Sequence, residues 1–121
     1  MRQAFSIVLA AGASLLSATA LAQGYPAKPI RFIIPNIAGS AYDMSGRITT
    51  TKMAEAMGQA IVAENRAGAN GVPAADAVAK AAPDGYTLMN ATPSFIVATA
   101  LGISPIDLRD LAPVALANYV P

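Results

Sequence analysis

The residues able to do chemistry in this chain are few, and they narrow its functions before any fold is considered. Among 121 residues there is no cysteine and no histidine. Soft metal ligands, a Ser-His-Asp triad and Cys-His catalysis are therefore set aside. Acid–base work would fall to Asp, Glu, Lys or Tyr. The formal net charge is +1, and Lys28, Arg31, Arg47, Lys52, Arg66, Lys80 and Arg109 are spread singly along the chain. Phosphate neutralisation needs clustered Lys and Arg, so a nucleic-acid surface is not expected. Two segments have the composition to hold a small ligand: residues 36–43, with Gly39, Ser40 and Asp43, and residues 91–94, Ala-Thr-Pro-Ser. Small residues let a backbone approach a ligand, and the first free N–H groups of a following helix favour an anion. A carboxylate could be held there by neutral donors, although the same composition also suits a plain turn. Gly39-Ser40 is not a phosphate loop, because the Lys-Ser/Thr pair and a full Gly-x-Gly-x-x-Gly are missing. Asp43 reads first as an ordinary helix N-cap. Asn65-Arg66 with Gly68 and Gly71 reads as turn-shaping, and Tyr42 as a stacking or half-buried loop aromatic.

These segments need a frame. After an extended lead-in containing Tyr25-Pro26 and Lys28-Pro29, residues 30–34 form a short apolar run ended by Pro35. Such a run predicts a strand buried on both faces, as in a parallel sheet. A helix is expected over residues 43–57, capped by Asp43 and stopped at Gly58. It is a weak former, with Thr49, Thr50 and Thr51 in succession and Gly46 in its first turns. Residues 60–64 read as a second strand. An alanine-rich helix follows from about Pro73, a favoured first-turn residue, to Ala82. Pro83-Asp84-Gly85 is a turn signal. Residues 86–90 read as a third strand, 95–101 as a short helix and 114–120 as a fourth strand. Alternating strands and helices predict right-handed βαβ units, an α/β fold with a parallel sheet and helices on both faces. Ligands bind such sheets beyond the carboxyl ends of the strands, where both polar segments fall.

The first segment reads as an address. Met1-Arg2-Gln3 is a short charged start, residues 4–16 are almost continuously apolar, and Ala20-Leu21-Ala22 has the small-x-small spacing of a cleavage site. A secretory signal over residues 1–22, cut before Gln23, is expected. The apolar run is shorter than the roughly 20 residues of a spanning helix. Export without any cysteine suits a periplasm, where packing instead of disulfides must stabilise the fold.

Read together, the segments resemble the tripartite tricarboxylate transporter substrate-binding proteins, the Bug family of periplasmic receptors. The matching stretches are Tyr25-Pro26-Ala27-Lys28-Pro29-Ile30-Arg31, Ile34-Pro35, Asp43 and Arg47. They continue with Glu64-Asn65-Arg66-Ala67-Gly68-Ala69 and with Ala79-Lys80-Ala81-Ala82-Pro83-Asp84-Gly85-Tyr86-Thr87-Leu88. Asp107 and Ala112-Pro113-Val114-Ala115 close the set. The resemblance implies a non-enzymatic, two-lobed receptor of the type II periplasmic-binding-protein (Venus-flytrap) kind, without a cofactor. It would pass a small carboxylate to the membrane components of a tripartite tricarboxylate-type transporter. Residues 23–121 would be the first lobe, incomplete, since family members are more than twice as long. Carried over, the family's ligand loops point to Asn36, Ala38, Gly39, Ser40, Ala41 and Asp43, with Thr92, Pro93 and Ser94. The chain departs from the family at Asn36, usually aromatic, at Ala38, usually proline, and at Ser40, usually glycine. The competing readings are a truncated remnant, a small secreted interaction protein, and a Rossmann-like enzyme, the last weakened by the missing phosphate fingerprint.

Overall fold

The computed structural model describes residues 24–116, and the expected signal segment lies outside them. Three parallel strands, β1 (Ile30–Ile34), β2 (Ile61–Asn65) and β3 (Thr87–Met89), pair in the order β2-β1-β3. Ile30 stands opposite Ile61 and Ile34 opposite Asn65, while Arg31 to Ile33 pair with Thr87 to Met89. The apolar run of β1 is central for a physical reason. Flanking strands pair both of its edges and helices cover both of its faces, so Ile30, Ile33 and Ile34 are fully buried. Burying each such side chain contributes about 1.5–3 kcal/mol.

The helices are α1 (Ala41–Met57), α2 (Val72–Ala79) and α3 (Pro93–Ala100). The step from β1 to β2 and the step from β2 across to β3 run in opposite directions. Right-handed crossovers therefore place α1 and α2 on opposite faces. The α1 side receives Phe32 and Ile34. Gly46 of α1 lies so close that an added Cβ would come within 2.9 Å of Ile34 Cδ1. The glycine that weakens the helix in sequence is thus the residue that lets it approach the sheet. The three threonines are accommodated by back-bonding: Thr49 Oγ1 donates to Ser45 O, and Thr50 and Thr51 Oγ1 to Arg47 O. Hydroxyls that would compete with the helix instead bond carbonyls of the preceding turn. On the α2 side, fully buried Ala74 and Ala75 permit close approach. Arg31 and Arg66 both clasp Glu64 on the sheet. These guanidiniums, Arg66 foremost, hold its carboxyl below the ordinary range.

Several boundaries differ from expectation. The cap of α1 is Ser40, whose hydroxyl accepts from Asp43 N, so the helix begins at Ala41 and Asp43 sits inside its first turn. Gly58 does end the helix, at φ 63° with its N–H on Ala54 O. Helix α2 stops at Ala79 and not Ala82, because Pro83 disfavours helical geometry just before it. Pro93 starts α3 two residues earlier than read, its fixed φ suiting a first turn. No fourth strand exists among the described residues. Val114 and Leu116 lie in irregular chain, each 79% exposed, and the rest of that expected strand, residues 117–120, falls outside the description.

At the amino end of the sheet the lead-in is fastened to the Pro83-Asp84-Gly85 turn. Tyr25 OH donates to Gly85 O at 2.7 Å, Ala27 N donates to the Tyr86 hydroxyl at 2.8 Å, and Lys28 pairs with Asp84 at 3.3 Å. The Lys28 ammonium also lies 4.3 Å from the Tyr86 ring centre. Two motif stretches far apart in sequence are one contact in space, at the end of the sheet opposite the carboxyl ends of the strands.

Candidate functional site

Each strand ends at the same edge, and each is followed by a loop that opens a helix. The loop after β1 is built from below by Asp43. This residue is 3% exposed. Its carboxylate accepts from Gly39 N at 2.8 Å, from Asn65 Nδ2 at 2.8 Å and from Arg47 Nε at 3.0 and 3.1 Å. The Gly39 amide foremost, then Asn65 and Arg47, pull its pKa down to about 2 against the opposing effect of burial. Asn65, the last residue of β2, also donates to Asn36 O at 3.0 Å and accepts from Arg47 Nη2 at 2.8 Å. The ends of β1 and β2 are tied together here.

The loop after β2 carries four consecutive residues with positive φ: Gly68 at 115°, Ala69 at 40°, Asn70 at 55° and Gly71 at 89°. Gly71 N closes the turn on Gly68 O at 2.8 Å. Ala69 in the left-handed region is costly, and such strain concentrates at functional sites. Space at Gly71 is tight as well: a Cβ would lie 3.3 Å from Pro35 Cβ and 3.4 Å from Phe95 Cβ. After β3, buried Thr92 caps α3, and its hydroxyl lies 3.0 Å from that of Ser94.

An open cleft of about 230 Å³ lies among these loops, lined by Pro35, Asn36, Gly68, Ala69, Asn70, Gly71 and Ser94. Among the described residues, no ionisable side chain lines it. Of the residues singled out in sequence, Asn36 and Ser94 reach this cleft. Ala38, Gly39, Ala41 and Pro93 are exposed nearby, Ser40 is half-buried and Thr92 is buried. The N–H groups of Gly39 and Ser40, expected as ligand donors, are already engaged, with Asp43 Oδ2 and with Ile37 O at 3.3 Å. A short loop of small residues satisfies its own backbone first. The cleft-lining residues that the sequence did not single out are Gly68 to Gly71, whose glycines read there as turn-shaping. Their signal was the spacing Gly-Ala-Asn-Gly, in which glycine and asparagine tolerate the left-handed region. A second open cleft, of about 350 Å³, lies between α3 and the segment reaching Leu108.

The family model of TctC, the tripartite tricarboxylate transporter family receptor, matches residues 46–121. The chain belongs to this family. It is a family of receptors, not of enzymes, and the Rossmann-like enzyme reading falls away with that match. A UPF0065 protein of Bordetella bronchiseptica is 45% identical over 105 residues, which cover 84% of this chain and 31% of the relative. The chain spans about a third of the length of the curated relatives it matches. Among solved structures, MatC from Rhodopseudomonas palustris with bound malate is 42% identical, at a TM-score of 0.51, over 54% of this chain and 22% of that one. The periplasmic binding protein BugD is 37% identical, at a TM-score of 0.50, over 53% of this chain and 22% of that one. The parallel α/β arrangement read from the TctC-like sequence agrees with these neighbours.

Proposed function

We propose that this chain is one lobe of a periplasmic solute receptor, that it captures a small carboxylate at the strand-end cleft, and that it serves a tripartite tricarboxylate-type transporter. Residues 1–22 act as its export signal, and residues 23–121 form the lobe. The observation that carries the reading is the convergence of all three strand-end loops on one cleft without an ionisable side chain. The neutral polar side chains lining it are the Asn36 and Asn70 amides and the Ser94 hydroxyl. Neutral donors suit an anion that must be released again, because a buried ion pair carries a large desolvation cost on both partners. Each hydrogen bond to a charged group is worth roughly 1.5–3 kcal/mol, so a few suffice. Bound malate in a relative supports the carboxylate class. Of the residues carried over from the family, Asn36 and Ser94 serve as contacts, and buried Thr92 hydrogen-bonds the Ser94 hydroxyl. Ala38, Gly39, Ser40, Ala41 and Pro93 shape the loops that bear them.

The test is an amide NMR titration of the exported chain with malate and with its neutral diamide. Malate is expected to shift the amides of Asn36, of residues 68–71 and of Ser94, and the diamide is expected to leave them in place. Shifts confined to residues 99–108, equal responses to both compounds, or no response would overturn the reading.

A further inference from the structure

We infer that Asp43, Asn65 and Arg47 act as one internal latch that sets the β1–α1 loop for ligand capture, with Asp43 positioning that loop and not touching the ligand. The inference rests on the carboxylate reading above only for the identity of what the loop serves.

The three side chains close a ring through four parts of the chain. Asn65 is fixed at the end of β2 by its register against Ile34. Its amide reaches Asn36 O, immediately beyond β1, and Asp43 Oδ1, in the first turn of α1. Asp43 Oδ2 holds Gly39 N at the loop, and Arg47, one turn further along α1, bonds both Asp43 and Asn65 Oδ1. Ala38 and Gly39 are exposed and offer almost no side chain for packing. The conformation of the loop therefore depends on this ring. Both oxygens of Asp43 are engaged within it, and Asp43 is absent from the cleft lining. A direct contact between Asp43 and a carboxylate ligand would set two negative charges against each other. Removing one member of this partly buried network leaves buried Asp43 or its partners short of a bond, so the effect spreads through the ring.

The experiment uses the full chain with the variants Asp43→Asn, Asn65→Ala and the two combined. In Asp43→Asn the Gly39 amide is expected to exchange with solvent at least tenfold faster, while the β1 amides of Ile33 and Ile34 keep their protection. Malate affinity from the same titration is expected to fall about tenfold. Asn65→Ala should behave alike, and the double variant should lose little more than either single one, the signature of residues acting through one network. Unchanged Gly39 exchange, additive losses, or a rise in malate affinity on Asp43→Asn would overturn the inference, the rise by placing the carboxylate against the ligand. Should Asp43→Asn fail to fold, Asn65→Ala carries the same two readouts. If the unaltered chain gives no response to malate, the carboxylate reading fails, and exchange at Gly39 decides the latch separately.

Discussion

Two aspartates of this chain share a pKa of about 2 for different reasons, and the difference decides what each does for the fold. Asp107 is held there by Arg109, through its side chain first and then its backbone N–H, at an exposed turn. Asp43 is held there by Gly39, Asn65 and Arg47 beneath a loop. For both, the folded pKa lies below the ordinary value near 3.9. The stabilisation is therefore present above that ordinary value and is lost as pH falls from about 4 through about 2. Carboxyl NMR titration should give a midpoint near 2 for both groups. Thermal melts at pH 7 should separate them. Asp107→Asn should lower the melting temperature by less than Asp43→Asn, since solvent screens an exposed ion pair. Asp43→Asn should lower it by several degrees. Equal effects would mean that burial of Asp43 adds nothing. At this scale the sequence revealed that Asp43 mattered, but its pattern allowed a cap or a ligand contact. The deciding partner, Asn65, lies 22 residues away, and no local spacing announces it.

Glycines set how closely the elements approach. Gly46 brings α1 against Ile34 and Phe32. Gly46→Leu is expected to destabilise the fold by about 1–3 kcal/mol through overpacking, measured by chemical denaturation. At Gly71 a positive φ and a crowded Cβ site coincide, whereas Gly39, at φ 81°, has open space around it. Gly71→Ala should therefore cost more than Gly39→Ala, whose loss comes from the left-handed backbone alone, about 1–2 kcal/mol. Equal losses would mean that contact with Pro35 and Phe95 is easily relieved. The stop of α1 at Gly58 and the strand of residues 30–34 were readable because capping and continuous burial are local signals. The start of α1 was misread by two residues, since both Ser40 and Asp43 are good capping types and only the observed hydrogen bond distinguishes them.

Over the whole molecule, apolar side chains remain on the surface at Ile96, Val97, Leu101 and Ile103, the last two 68% and 67% exposed. Both β2 and β3 are edge strands of the three-stranded sheet. Exposed apolar area and open edges promote association. The purified chain is expected to bind an apolar dye and to scatter light on mild heating. Replacing Val97 and Leu101 together by Lys should suppress both signals, and an unchanged scattering onset would assign the association to the sheet edges instead. Export belongs to this scale as well: mass spectrometry of the periplasmic fraction should find a processed chain beginning at Gln23. A retained Met1 would exclude the signal.

Residue order was enough for the α/β class, for the placement of two polar loops at one sheet edge, and for the exclusion of His- and Cys-dependent chemistry. Each follows from composition, period or turn residues, which act over a few positions. Only the packed chain reveals that residues 68–71 line the cleft, that Gly39 and Ser40 have engaged N–H groups, and that Asp43 points inward. Those outcomes depend on which strand ends become neighbours. That is settled by crossover handedness and by burial of β1 between its partners, through contacts between residues that no sequence window contains.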